Sequence, residues 1–404
     1  MSPPFQALKN RNYRLYFSGQ LVSMIGTWMQ STVLSWLVYR LSHSATWLGI
    51  IAFSTQLPAF LASPVAGLVA DRKDRRTVLL WVEIIAIIQA FMLAALFFSG
   101  KIALWHIAAL SVVLGVINAF EMTTRHAFAV DLVGKTDLPS ALAFNSVTIN
   151  GSRMVGPAIA GLLIAPIGEG WCFILNGLSY LAVILGLLMM KLEKRAALPF
   201  LAMNPFMQIW DAFQYTRQVP RIARLILLSA FISFFGAPYV VLLPVFAKGA
   251  LQGDALTLGW LTGTSGLGAI CGAFEFASRS ESPEAMERKF PIRLILVGFS
   301  LAVLGASNHL WLSLLATFGI GFFMMAIFPS INTTIQQIVD DSYRGRVVAL
   351  YTMSFLGTMP LGGLLAGWLA DRTSALAVEL SFGAIFLIVG ITLHLTRNCN
   401  YRGK

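Results

Sequence analysis

Apolar runs of about twenty residues, each closed by a short charged or turn-rich break, follow one another along almost the whole chain. A helix needs about 20 residues to cross roughly 30 Å of hydrocarbon. Runs of that length fall near 15–38, 47–70, 77–98, 104–127, 140–165, 171–190, 222–247, 256–278, 292–308, 311–332, 347–370 and 375–396. They nearly exhaust the 404 residues and leave no stretch for a soluble domain. Charged residues make up 12% of the chain, about half the share of an ordinary soluble domain, so the apolar runs have little to interrupt them. The expected fold class is an all-α polytopic membrane protein with twelve transmembrane helices.

The charges test that count. With both termini on one side, all 29 Lys and Arg but five fall on that same side. Arg40, Lys101, Lys248 and Arg372 fall opposite, and Arg153 lies inside a run. Basic loops mark the cytoplasmic face, so both termini are expected there. An error of one span would scramble this alternation. The same bias accounts for the net charge of +11 without nucleic acid as a partner. Met1–Arg14 is short and basic and reads as retained inside, with no cleavable signal ahead of the first run. Cys172, Cys271 and Cys399 are odd in number and widely spaced, which implies neither a disulfide framework nor a metal site. No cofactor and no metal is expected.

The chain reads as two halves, 1–190 and 222–404, joined by a linker at 191–221. In the linker, Asn204-Pro205 reads as an N-cap and first helical residue. Phe206, Ile209, Trp210 and Phe213 then share one helical face, with Gln208, Asp211 and Gln214 off it, which suits a short helix lying in the membrane interface. The halves look related. Gly156-Pro157-Ala158-Ile159-Ala160-Gly161-Leu162-Leu163 resembles Gly362-Gly363-Leu364-Leu365-Ala366-Gly367-Trp368-Leu369, an offset of 206 residues that maps the fifth run onto the eleventh.

Between the second and third runs stands Gly67-Leu68-Val69-Ala70-Asp71-Arg72-Lys73-Asp74-Arg75-Arg76. Its unbroken charges cannot sit in hydrocarbon, so the stretch lies in water beside the membrane. The pattern G-x-x-x-D-R-x-x-R-R resembles the loop 2–3 signature of the major facilitator superfamily, with Asp74 where that signature prefers Gly. Gly367-Trp368-Leu369-Ala370-Asp371-Arg372 repeats its first half after the eleventh run, on the opposite face, and reads as coincidence plus a packing glycine. Further stretches sharpen the resemblance: Asn10-Arg11-Asn12-Tyr13-Arg14-Leu15, Gly26-Thr27-Trp28-Met29, Trp36-Leu37-Val38-Tyr39, Arg125-His126-Ala127-Phe128 with Asp131-Leu132-Val133, and Asn150-Gly151-Ser152-Arg153 running into Gly156-Pro157. They are similar to the enterobactin-exporter-like (drug:proton antiporter-3) branch of that superfamily. Glu121-Met122-Thr123-Thr124 departs from the D/E-x-P-A of that branch, which leaves the depth of Glu121 open. The resemblance implies proton-driven export of drugs or siderophores from a bacterial cytoplasmic (inner) membrane. It also implies a conformational charge lock built from Asp71, Arg72, Arg75 and Arg76 with Asp131.

A charge inside a span is expensive and is a functional candidate by default. Glu83, Glu121, Arg153 and Glu275 qualify. Spans 4 and 5 are consecutive and antiparallel, so Glu121 and Arg153 are expected to pair, with Asn118, Asn145 and Asn150 completing the hydrogen bonds. The pair is either purely structural or carries the transported proton. Glu83 and Glu275 lie near span ends, where a carboxylate either couples protons or reaches water. Polar and aromatic residues threading the spans suit a mostly apolar substrate cavity: Gln20, Ser23, Thr27, Trp28, Gln30, Gln56, Asn118, Asn150, Phe231, Phe234, Phe235, Tyr239 and Met324. The competing reading of each is packing.

The leading function is a secondary active transporter, a monomer in lipid, exporting a small amphiphile in exchange for protons. An importer or a lysolipid flippase on the same fold is the alternative, and an intramembrane enzyme or sensor the non-transport one. No G-x-x-x-x-G-K-[ST] loop supplies ATP, and Gly263-Thr264-Ser265-Gly266 misses G-x-S-x-G by one position. His43, His106, His126, His309 and His394 form no H-E-x-x-H.

Overall fold

The computed structural model describes residues 6–191, 205–279 and 281–402. Asn204, Lys194 and Arg195 of the linker lie outside them, as do the side chains of Phe206 and Gln208. Among the described residues the regular structure is helical throughout. A 3₁₀ turn, Gln6–Lys9, leads into α1 (Arg11–Ser42), followed by α2 (Ala45–Arg72), α3 (Arg75–Phe98) and the long α4 (Leu104–Met189). Gly134 (φ 69°) and Gly168 (φ 80°) break α4 into three segments, because only glycine enters that left-handed region without strain. Then come α5 (Pro205–Gln218), α6 (Pro220–Gly236), α7 (Tyr239–Val245) with a π-turn at Phe246–Ala250, and α8 (Ala255–Ala277). The last four are α9 (Pro283–Ala306), α10 (Leu310–Ile338), α11 (Arg344–Arg372) and α12 (Ala375–Arg402).

Ten helical stretches are long and apolar enough to cross a membrane. The longest, Ser140–Met189, is two crossings divided at Gly168, and α8, whose glycines and threonines dilute its hydropathy, completes the twelve. Most helices outrun their apolar runs. The first turns of α9 lie well before residue 292, where the ninth run begins, because Ser282 caps them by accepting from Ala285 N and Pro283 suits the first helical position. Asp74 caps α3 in the same way, accepting from Thr77 N at 2.9 Å. That role accounts for an Asp where the loop signature prefers Gly.

The chain clusters into two compact units. The first holds Met1–His43, Ile50–Phe200 and Asp254–Gly263; the second holds Ser44–Gly49, Leu201–Gly253 and Thr264–Lys404. Glycines set the closest helix contacts within each. In the first unit, a methyl added at Gly156 would lie 2.8 Å from Ile25 O of α1, and one at Gly115 would lie 2.1 Å from Thr55 O of α2. In the second, a methyl at Gly362 would lie 2.0 Å from Phe234 O of α6, and one at Gly321 would lie 2.1 Å from Ser265 O of α8. Both pairs obey the same 206-residue offset, so the repeat is one of backbone contacts.

In the second unit, Asp371 at the end of α11 receives Ala45 N at 2.6 Å, Thr46 N at 2.9 Å and the Ser44 hydroxyl. It closes the first turn of α2 as an N-cap supplied from another helix. The Gly367–Arg372 look-alike is therefore more than a coincidence: Gly367 meets Ala45 O and Asp371 satisfies the orphaned amides. The linker helix α5 also docks on the second unit, through Tyr215 stacked on Tyr343 (4.3 Å) and Asp211 against Arg346 (3.6 Å). Met207, Trp210 and Phe213 remain exposed on it.

Candidate functional site

Helix α4 runs to Gly134 before it breaks, so Arg125 lies more than two turns inside a helix and is only 4% exposed. There it pairs with Glu121, one turn earlier on the same helix, at 3.1 Å. Gln20 of α1 donates to the same Glu121 Oε1 at 2.7 Å, and Arg125 also lies 2.9 Å from Met24 Sδ. Glu121 therefore pairs with Arg125 and not with Arg153. The charge count places Arg125, near the end of the run 104–127, with the cytoplasmic residues; helix continuation makes it the nearer partner, and an i,i+4 pair needs no meeting of two helices. Asn145 instead approaches His126, and Asn150 donates to Ser146 O on its own helix.

Beside this pair, Glu83 of α3 is 2% exposed, and its Oε2 has no hydrogen-bond partner. Its charged electrostatic neighbours are Glu121 and Arg125. Tyr16, packed edge-on against Phe128, brings a buried hydroxyl that is likewise unpartnered. Two carboxylates and one guanidinium thus lie within electrostatic reach of one another, Glu83 buried and Glu121 partly exposed.

The next layer of the first unit is neutral. Asn176 donates to Gln30 Oε1 (2.9 Å) and Tyr180 OH (3.2 Å), Gln30 donates to Gln89 Oε1 (3.1 Å), and Thr27 meets Tyr180 OH (3.1 Å). Gln20, Thr27 and Gln30 are accordingly engaged within the protein, and Ser23 is buried with its carbonyl accepting from Thr27. Gln56 and Asn118 are half-buried and free of side-chain partners among the described residues. Arg153 lies 5.7 Å from the ring centre of Trp28, with no carboxylate partner among the described residues.

At the α2–α3 junction, Arg75 organises the charges. It binds Asp131 at 2.7 Å, Ala127 O at 2.9 Å and Ala70 O at 3.1 Å, with Asp71 at 3.7 Å. Arg76 instead donates to Leu188 O, and Arg72 is exposed. The second unit repeats the chemistry without the motif: Arg293 of α9 donates to Ala326 O (2.8 Å) and Ser330 (3.1 Å) and pairs with Glu275 at 2.7 Å. Glu275 also meets Arg279 at 3.3 Å, so it is an ion-paired residue on both sides. Next to it the hydrogen bond from Lys289 holds the Glu281 carboxyl below the usual carboxylate range.

Of the aromatic candidates, Phe231 and Phe235 pack on Phe386 (4.9 Å) and Phe382 (5.2 Å) of α12, and Phe234 on Phe235 (4.9 Å). Tyr239 hydrogen-bonds Ser265, and Met324 is buried beside Gly236. These side chains belong to the interior of the second unit. The run-by-run reading also passes over Glu169, which pairs with Arg40 at 3.0 Å, and Glu379 of α12, which is wholly buried with neither carboxylate oxygen partnered. The rule that singles out Glu83 applies equally to Glu379, four residues into the last run.

The family described as transmembrane secretion effector matches residues 2–401. The staphyloferrin A transporter of Staphylococcus aureus is 25% identical over 89% of this chain and 89% of its own. The multidrug efflux pump Tap of Mycolicibacterium fortuitum is 25% identical over 88% of each. The enterobactin exporter EntS of Salmonella paratyphi A is 25% identical over 95% of this chain and 91% of its own. Among solved structures, a variant of the nucleoside transporter NupG superposes with a TM-score of 0.74 at 14% identity, covering 96% of this chain and 99% of that one, which shows the fold. With a family match along nearly its whole length, the chain belongs to the transmembrane secretion effectors of the major facilitator superfamily, and it is a multi-pass membrane transporter rather than an enzyme.

Proposed function

We propose that the protein exports small amphiphilic organic molecules, of the siderophore or drug kind, in exchange for protons by alternating access. The observation that carries the proton half is the Glu83–Glu121–Arg125 cluster. With all three groups ionised it holds one uncompensated negative charge in a largely buried place, and one bound proton removes it. Glu121 is held by Arg125 and Gln20, so Glu83 is the member that takes the proton. Glu121 and Arg125 set the field it feels. The staphyloferrin A transporter, the multidrug efflux pump Tap and the enterobactin exporter EntS support the substrate class and, for the latter two, the outward direction. The basic-loop bias supports cytoplasmic termini in a bacterial inner membrane. The exposed Met207, Trp210 and Phe213 of α5 suit a helix resting in the lipid interface.

The test uses reconstituted vesicles and a dye selected from an export panel in a pump-deficient strain. Glu83→Gln should fold, bind the dye and exchange it across the membrane without a gradient, yet fail to accumulate it uphill. Glu121→Gln should lower the uphill rate less, because it alters the field without removing the proton's seat. Uphill accumulation at the wild-type rate in Glu83→Gln would rule out this assignment.

A further inference from the structure

Arg153 is an intramembrane cation with no counter-ion among the described residues. It lies thirteen residues beyond the start of the crossing that runs from Ser140 to the break at Gly168, about 20 Å along the axis and near the middle of that crossing. Gly156, one turn further on, meets Ile25 O and Trp28 Cβ, so this face of α4 is turned towards α1 and away from lipid. The guanidinium stands over the Trp28 ring at 5.7 Å, and both side chains are half-buried. The nearest expected carboxylate, Glu121, is already held by Arg125 and Gln20. Asn150, one turn before, uses its amide on Ser146. No ion pair or hydrogen bond reaches Arg153 from the described residues.

A cation at this depth is costly, and an aromatic face returns only part of the cost. What completes the site is an anion that comes and goes. The guanidinium offers a planar fork that fits a carboxylate or a similar acid through two parallel hydrogen bonds, and the indole beside it offers a flat apolar face. We propose that Arg153 and Trp28 form the acid-recognising part of the substrate site, selecting organic anions that carry an ionised acidic group beside an aromatic or apolar body. A cationic amphiphile is disfavoured there by like charge, so the pair filters substrates as well as binding them. The inference rests on the transport reading and narrows its substrate class.

The test measures binding in detergent, with no gradient and no transport, so failure of proton coupling leaves its readout untouched. The probes are dansylglycine and its neutral amide, matched in size and differing in the acid. The wild type should bind the acid about tenfold or more tightly than the amide, the ratio expected of one charge-assisted contact. Arg153→Gln should erase that ratio while leaving the amide's affinity unchanged, and Arg153→Lys should keep part of it. Trp28→Ala should weaken both probes alike. Melting curves guard the reading, since Arg153→Gln removes an uncompensated charge and should melt no lower than the wild type. Equal affinities in the wild type, including no binding of either probe, overturn the proposal. So does an unchanged ratio in Arg153→Gln, or a lower melting point that betrays a structural partner.

Discussion

Removing the Asp371 carboxylate should loosen the first turn of α2 and little else. That turn has no intrahelical partners for its leading amides, and Asp371 supplies them from α11. An N-cap replaced by Ala typically costs about 1 kcal/mol. The charge at a helix N-terminus adds about 0.3–1 kcal/mol, at the lower end here because the residue is exposed. The Ser44 hydroxyl loses its acceptor as well, a bond worth about 0.5–1.5 kcal/mol. The sum for Asp371→Ala is about 2 kcal/mol, against a few tenths for Asp371→Asn, which keeps an acceptor and loses the charge. Hydrogen exchange reads this directly. Amides 44–49 should exchange about thirtyfold faster in Asp371→Ala and no more than about threefold faster in Asp371→Asn, with the peptides of α3 and α9 unchanged. Identical exchange in wild type and Asp371→Ala would refute the cap. A uniform rise across the whole chain would show global destabilisation instead, and would refute it equally.

Glu379→Leu should raise the melting temperature, because it replaces two unpartnered buried oxygens with apolar atoms and recovers about 1–3 kcal/mol; a lower melting temperature would show a partner that the fold hides. Arg75→Ala and Asp131→Asn should cut vesicle transport while leaving expression near normal, because exposed or half-exposed ion pairs add less than about 1 kcal/mol to folding and so serve chiefly to favour one conformation. Full transport in both, at equal protein levels, would dissolve the charge lock.

The helices were legible because burial in lipid demands long apolar runs, and the sequence cannot hide them. The side-chain partners were less legible, and the reason is rotational. Whether Glu121 meets Arg153 or Arg125 depends on which way the side chains face, and counting Arg125 with the cytoplasmic charges hides that it sits one turn from Glu121 in a helix that continues to Gly134. Asp74 looked like a departure from a motif, yet it serves as an ordinary cap. Gln89 and Asn176 carry no charge, so nothing local announced that they meet Gln30 across three helices. Arg293 performs for the second unit what Arg75 performs for the first, but from a different helix position, which defeats any search by spacing. Glu379 was open to the same reasoning as Glu83 and needed only that the rule be applied to the last run.

The 206-residue recurrence of glycine contacts gives the molecule an internal control. A methyl added at Gly115 or at Gly321 would lie the same 2.1 Å from a backbone oxygen, yet the charged clusters of the two units differ in residue and position. Alanine placed at either glycine inflicts the same mechanical injury in two different chemical settings. Where the two lesions agree, the effect belongs to the packing that both halves share. Where they disagree, the difference isolates what is particular to each half, and one chain serves as both specimen and reference.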